Sequence, residues 1–244
     1  MKKLFSTVIF FLLFLSGPLM SQKQLYFGLA GTGLSSVITN QNNYGLVAMD
    51  YKVPFGGSGN LNIGFDFNNH VGLKLEIGYT KLGQKYTDNV TNVIKDSAFS
   101  RNIKLNYLQV PLLFKYRSGG NTKLYLMVGP QFNILLSANQ DYTLNGALYD
   151  TTKTNLANQK FVVGQSSIKE RFSTLDIMAR IDFGVDIALA KNLYLNAGLT
   201  LAYGLLDINA SDWRIKDHTG TYHASHNGYG GINVGISYAL PLSK

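Results

Sequence analysis

The sequence predicts an all-β protein, an eight-stranded antiparallel transmembrane up-and-down β-barrel with four long extracellular loops and short periplasmic turns. Three observations predict it: period-2 alternation along eight segments, connections that are alternately short and long, and an export signal at the start. The composition agrees. The 244 residues include 25 glycines and no cysteine, and only 15% are charged. This composition argues against a disordered chain, a helical membrane bundle and a thiolate metal site.

The export signal occupies residues 1–21. Lys2 and Lys3 precede an apolar run from Val8 to Leu15, and Ser21 is a small residue at the expected cleavage site. The alternative, a membrane anchor, needs a longer apolar run and a stop-transfer flank. We therefore predict a secretory signal peptide over 1–21 and a barrel domain over 22–244, located in a bacterial outer membrane as a multi-pass protein.

Alternation is sharpest over residues 174–189, where every second residue from Leu175 to Leu189 is apolar and the opposite parity carries Asp176, Arg180 and Asp182. This pattern is typical of a strand with one apolar face. The same alternation predicts strands at 24–34, 60–67, 71–83, 107–116, 123–138, 174–189, 193–203 and 228–240. Eight is an even number, as an up-and-down barrel requires.

The connections alternate in length. Short turns are predicted at 68–70, 118–121 and 191–192, and long polar stretches at 35–59, 84–102, 139–172 and 209–227. Outer-membrane barrels have short periplasmic turns and long extracellular loops. A run of hairpins in lipid must also close into a ring, because an open sheet edge leaves unpaired backbone groups.

A soluble lipocalin-like barrel is the main structural alternative, and its apolar face points inward. Charge is nearly absent from the apolar parity, with Lys81, Lys104 and Asp207 as exceptions near the strand ends. Aromatic residues of that parity recur at two heights about nine residues apart, as the two girdles of a membrane barrel do. The predicted girdle residues are Phe67, Tyr116 and Tyr238 near the short turns and Tyr79, Phe132 and Tyr203 above them. The apolar face is therefore predicted to face lipid.

The opposite parity places charged residues inside the barrel. The predicted polar network of the lumen comprises Lys74, Glu76, Lys115, Asp176, Arg180, Asp182 and Asp186. Buried charges must pair, so we expect Arg180 to contact Asp182 or Glu76. The network is either packing that fills a narrow barrel or a narrow ion or proton path. A general diffusion porin is disfavoured because it needs about 16 strands.

Several strand motifs resemble a known family. The segment from Tyr107 to Tyr116, YLQVPLLFKY, resembles the YLxIPLLxKY segment of the PorT-like outer membrane protein beta-barrel domain family, and so does LYLMVGP from Leu124 to Pro130. The DFGVD segment at Asp182 and the closing NVGISY at Asn233 complete the pattern. The resemblance implies an outer-membrane location, with protein secretion as the role of the named member. It implies no catalytic residue.

The stretch 209–227 is the candidate region for chemistry, because enzymatic barrels carry their catalytic groups at the extracellular rim. His218, His223 and His226 are weak candidates for a metal site or for a base serving a rim serine. The alternative is a polar loop without a ligand, and we predict no metal, no cofactor and no catalysis. Trp213, Tyr222 and Tyr229 form either a recognition patch or ordinary rim anchors.

The favoured function is a structural or surface-interaction role carried by the long loops. A transport or protein-secretion accessory role is the alternative, and a rim enzyme comes third. The expected partners are outer-membrane lipid, the barrel-assembly machinery during insertion, and other envelope proteins. Nucleic acid is not expected, because the net charge of +8 is scattered along the chain.

Overall fold

A computed structural model describes residues 23–40, 50–90, 97–118, 122–144, 147–148, 166–216 and 219–242. The predicted signal peptide over 1–21 lies outside the described residues. So do most of the long stretch between 145 and 165, and His218. In the described part of the chain, no helix is both long enough and apolar enough to cross a membrane.

The strands account for most of the described chain. They are β1 (Gln24–Thr39), β2 (Asp50–Lys52), β3 (Phe55–Asp66), β4 (Val71–Val90), β5 (Ser97–Arg117), β6 (Thr122–Leu144), β7 (Ala147–Leu148), β8 (Ser166–Ser167), β9 (Leu175–Ala190), β10 (Leu193–Gly204) and β11 (His226–Pro241). Two single-turn 3-10 helices cover Lys169–Arg171 and Ser211–Trp213.

Eight long strands close into one antiparallel ring. The order around it is β1, β3, β4, β5, β6, β9, β10 and β11, and β11 pairs back to β1. The first and last strands are in register over their whole length, from Gln24 opposite Pro241 to Thr39 opposite His226. Closure leaves no edge among these eight strands, which confirms the predicted eight-stranded barrel. The short strand β2 pairs with β4, and the short strands β7 and β8 pair with β6.

The two ends of the barrel differ. At the short-turn end, residues 67–70, 118–121 and 191–192 connect neighbouring strands, and β1 begins and β11 ends there. Asn68 makes the first turn tight, because its side-chain oxygen accepts hydrogen bonds from the backbone N–H groups of His70 and Val71, both at 2.8 Å. The remaining connections lie at the opposite end, which we call the long-loop end.

At the long-loop end the strands run further than the alternation in the sequence predicts. The prediction of a polar loop over 84–102 is wrong for much of that stretch, because β4 continues to Val90 and β5 begins at Ser97. The 23 residues of β6 are about twice the length that a tilted strand needs to cross a bilayer. The apolar alternation ends before the strands themselves end, and the reason is physical. Beyond the apolar band the outward side carries lysines while the inward side turns apolar, with Leu82, Ile103 and Leu105 buried.

The outer surface of the ring is apolar around its circumference. On neighbouring strands, Leu29, Leu61, Ile77, Leu112, Phe183, Leu199 and Ile236 are all between 43% and 61% exposed. The opposite parity is buried and mostly polar. A buried apolar group fills the inside of the long-loop end; we call it the apolar cap. It includes Leu34, Ile38, Leu82, Ile103, Leu105, Leu135, Ile168, Phe172, Met178 and Ile208.

Candidate functional site

The middle of the barrel interior holds four charged side chains in contact, which we call the central ion cluster: Lys74, Glu76, Arg180 and Asp182. Arg180 donates from Nε and Nη2 to the two carboxylate oxygens of Asp182, at 2.9 and 2.8 Å. Its Nη1 donates to Oε2 of Glu76 at 3.0 Å, and Lys74 reaches the other Glu76 oxygen at 2.6 Å. Arg180 is 2% exposed and Glu76 is fully buried. Two cations and two carboxylates thus neutralise one another across the lumen.

Two further ion pairs lie nearer the short-turn end. Lys115 Nζ is 3.3 Å from Asp186, whose other oxygen accepts a hydrogen bond from Asn196 at 2.7 Å. Lys115 also lies 4.6 Å from the ring centre of Tyr26. Arg117 pairs with Asp66 at 2.9 Å. The predicted lumen network included Lys115 and Asp186 but not Arg117, which directly precedes a turn.

A layer of buried amides lies between the central ion cluster and the apolar cap. Gln131 donates to Asn133 at 2.8 Å and to Gln109 at 3.3 Å, and Gln109 in turn donates to Asn60. Tyr229 donates its hydroxyl to Gln131 Oε1 at 2.7 Å. Placing Tyr229 in a surface patch was therefore wrong. Tyr229 is 7% exposed because it lies on the inward parity of β11, opposite to that of the exposed Ile236 and Tyr238.

Asp176 is the one predicted lumen residue without a cation beside it in the described structure. Its Oδ2 accepts a hydrogen bond from Asn227 at 2.9 Å, and the same amide group donates to Tyr107 at 3.1 Å. The structure therefore brings six of the seven predicted lumen residues into ion pairs and places Asp176 in a separate neutral environment above them.

Above the apolar cap, residues 205–216 and 219–225 fold across the long-loop end; we call these residues the loop lid. Asp207 organises it. Its two oxygens accept hydrogen bonds from the Tyr222 hydroxyl at 2.6 Å and from the backbone N–H groups of Asn209 and Ser225, both at 3.1 Å. Arg214 pairs with the same carboxylate at 3.0 Å. Asp207 was an exception to the apolar parity, and these contacts explain it.

Two aromatic residues of the loop lid have defined partners. Burial, and then the hydrogen bond to Asp207, raise the pKa of Tyr222. The guanidinium of Arg171 lies over the ring of Trp213, 4.5 Å from its centre. The lid is also tied to the strand ends, because Ile208 accepts a hydrogen bond from Ser173 at 2.8 Å and Ala210 donates to Arg171 at 3.0 Å.

The histidine candidates do not come together in the described residues. Nδ1 of His226 lies 3.0 Å from the Leu206 carbonyl oxygen, and the ring stacks on Tyr203 at 5.7 Å. His223 is exposed, and His218 lies outside the described residues. The described part of the chain contains no group of three residues able to hold a metal ion.

All six predicted girdle residues point outward. Their exposed fractions lie between 38% and 55%, for Phe67, Tyr79, Tyr116, Phe132, Tyr203 and Tyr238. Tyr116 lies opposite Val71 and Tyr238 opposite Leu193, at the short-turn end, whereas Tyr79 lies eight residues further along β4. The structure adds Phe55, which is 92% exposed at the long-loop end of β3. Phe55 lies within the stretch 35–59, for which the sequence predicts a loop.

A closed eight-stranded barrel with an apolar belt and a charged, filled interior defines the class of small outer-membrane β-barrels. A family model described as "Outer membrane protein beta-barrel domain" matches residues 17–210, and the chain belongs to this family of the bacterial outer membrane. This confirms the family and location that the motifs predicted. The narrower PorT-like group stays a prediction.

Comparison with solved structures finds similar barrels. A major outer membrane protein from Thermus thermophilus has 13% identity and a TM-score of 0.46, covering 89% of this chain and 99% of that one. Ail, the attachment invasion locus protein of Yersinia pestis, has 13% identity and a TM-score of 0.42, covering 91% and 100%. Neisserial surface protein A has 13% identity and a TM-score of 0.42, covering 88% and 96%. A comparison with curated proteins found no match.

Proposed function

We propose that this protein is a closed outer-membrane barrel that acts through its long-loop end, as a structural or surface-interaction protein, and does not conduct solutes. The observation that carries the proposal is the filled interior. The central ion cluster, the amide layer and the apolar cap follow one another along the lumen, and an eight-stranded barrel is just wide enough for its own side chains to fill it.

The proposal includes the export and partners of the chain. Residues 1–21 direct export, the barrel-assembly machinery inserts the barrel, and the long-loop end faces the outside, where other envelope proteins or surfaces are its partners. No catalytic step is assigned, because Asp207, Tyr222 and Ser225 are engaged in holding the loop lid closed. The membership of the PorT-like group is part of the same proposal.

Planar-bilayer recording of the full chain tests the closed lumen. We expect no conductance steps from the wild type. A variant with Arg180→Ala, Gln131→Ala and Phe172→Ala removes one side chain from each layer and serves as the open control, with conductance expected once a gel shift shows that it has folded. Steady conductance of the wild type would contradict the proposal.

The surface role has its own test. Cells producing the wild type are compared for adherence to protein-coated surfaces with cells whose residues 149–165 are replaced by a Gly/Ser linker of equal length. We expect adherence to be lost while the barrel still shows a gel shift on heating. Unchanged adherence together with an altered profile of exported proteins would favour the secretion-accessory role instead.

A further inference from the structure

A group of lysines lies on the outward surface just beyond the apolar band. Gln84 and Tyr86 are buried inside, so Lys85, between them, points outward, as does the exposed Lys81 on the same strand. Lys104 on β5 lies opposite Gly83, between these two lysines, and Lys52 on β2 lies opposite Lys85. We call this group the lysine patch: Lys52, Lys81, Lys85 and Lys104.

The patch lies at the height of lipid headgroups. Tyr79, a girdle residue on the same outward parity, precedes Lys81 by two residues and Lys85 by six. At about 3.3 Å per residue and a tilt of about 45°, those positions are roughly 5–14 Å above the aromatic ring. A headgroup layer extends about 5–8 Å beyond the hydrocarbon on each side of a bilayer. The lower part of the patch therefore coincides with that layer.

Protein carboxylates compensate the patch only in part. Lys104 pairs with Asp141, and Asp50 is the other acidic residue described on this face of β2. Lys81, Lys85 and Lys52 make no ion pair with any residue that the structure describes. Lys52 and Lys85 oppose each other directly across two strands, an arrangement that destabilises a sheet unless an anion lies between or above the ammonium groups.

On the opposite side of the barrel, the outward strand positions at this height lack lysine and arginine. Level with Tyr203 on the opposite side, the outward residues are Gly228 on β11 and Val37 on β1. One step further along, His226 pairs with Thr39. None of these four outward positions carries a lysine or an arginine. The lysine patch is thus a cluster on β2, β4 and β5 with no counterpart on the described strand ends of β1 and β11.

We infer that the lysine patch binds the phosphate groups of anionic lipids in the leaflet at the long-loop end. Lysine stems lie along the apolar surface while the ammonium groups reach the headgroup layer. Phe55, whose neighbour Gly56 packs against the Lys81 backbone carbonyl, supplies an exposed ring beside the patch for the acyl chains. Each lysine near an anionic surface contributes about a five-fold gain in binding. The inference is independent of the closed lumen.

Native mass spectrometry of the full chain in neutral detergent tests the inference, with phosphatidylglycerol as the anionic probe and phosphatidylcholine as the zwitterionic one. We expect the wild type to retain phosphatidylglycerol preferentially. Lys81→Gln/Lys85→Gln should lower that retention at least ten-fold. The matched control is Lys23→Gln/Lys191→Gln, which removes the same charge at the short-turn end and should retain the lipid as the wild type does.

A heat-dependent gel shift establishes that each variant is folded, and the substituted side chains are outside the barrel wall. Two results would overturn the inference. One is equal retention of the two lipids by the wild type. The other is full phosphatidylglycerol retention by the Lys81→Gln/Lys85→Gln variant.

Discussion

The guanidinium of Arg180 on β9 reaches Glu76 on β4 across the lumen at 3.0 Å, joining two strands that are not neighbours in the ring. The same group forms a two-pronged contact with Asp182 on its own strand. Backbone hydrogen bonds join neighbouring strands, whereas the Arg180 side chain links strands on different sides of the lumen. Planar, two-pronged recognition of carboxylates is a property of arginine that lysine lacks.

Arg180→Gln should destabilise the barrel by about 3–5 kcal/mol, because the buried Asp182 loses its cation and the buried Glu76 loses one of its two cations. Arg214→Gln is the control, since its pair with Asp207 is half exposed at the arginine and should cost at most about 1 kcal/mol. Urea unfolding in vesicles, followed by the gel shift, measures both changes. Equal losses for the two variants would contradict the role of Arg180.

Asp207→Ala should open the loop lid without unfolding the barrel. Four donors lose one shared acceptor, and at roughly 1 kcal/mol per hydrogen bond the lid should open at least ten-fold more often. Limited trypsin cleavage at Arg214 and Lys216 reports the opening. Asp212→Ala, at an exposed position in the same segment, should leave the cleavage rate unchanged.

The loop lid should also weaken at alkaline pH. The raised pKa of Tyr222 means that the closed lid keeps a proton which the open lid releases, so stability falls as the pH rises above about 10, the ordinary pKa of tyrosine. Trp213 is the one tryptophan of the chain and its fluorescence reports the lid. Tyr222→Phe should remove this part of the transition, and an identical pH profile in the variant would refute it.

The lipid-facing belt should reject charge in a depth-dependent way. Leu75 is 43% exposed midway between Val71 and Tyr79, and Leu75→Arg should cost about 2–4 kcal/mol. Leu205→Arg, at an exposed position at the long-loop end, should cost at most about 1 kcal/mol. Folding yields in lipid vesicles compare the two. Equal yields would place Leu75 outside the bilayer.

Gly64→Ala should destabilise the barrel strongly, whereas Gly33→Ala should not. A Cβ on Gly64 would overlap the ring of Tyr26, which lies against Lys115, while a Cβ on Gly33 meets nothing within 4 Å. Thermal unfolding monitored by the gel shift distinguishes the variants. If both unfold at the same temperature, the packing of Tyr26 does not limit stability.

The sequence predicts the wall better than it predicts the ends. Parity assigns Glu76, Arg180 and Asp182 to the inside and Tyr79 and Tyr203 to the outside, because lipid and lumen impose opposite polarities on successive residues. Beyond the lipid the difference in polarity between the two faces of a strand is lost. There Leu82 and Ile103 are buried on the inward parity, which carries polar residues in the lipid-spanning part of the strands. The partners of Asp207 and Tyr229 depend on contacts between distant segments, which no local pattern encodes.

The pairing of β1 with β11 determines when assembly can be completed. Because Gln24 pairs with Pro241, a chain that lacks β11 cannot close the barrel, and closure requires the last strand. The same pairing brings the start of β1 and the end of β11 together at the short-turn end, where the Leu242 N–H donates to the Lys23 carbonyl oxygen at 2.9 Å. A permuted chain could therefore carry a short linker between those ends and new termini at residues 191–192. Every pair of neighbouring strands would be retained, but β11 would be synthesised before β1.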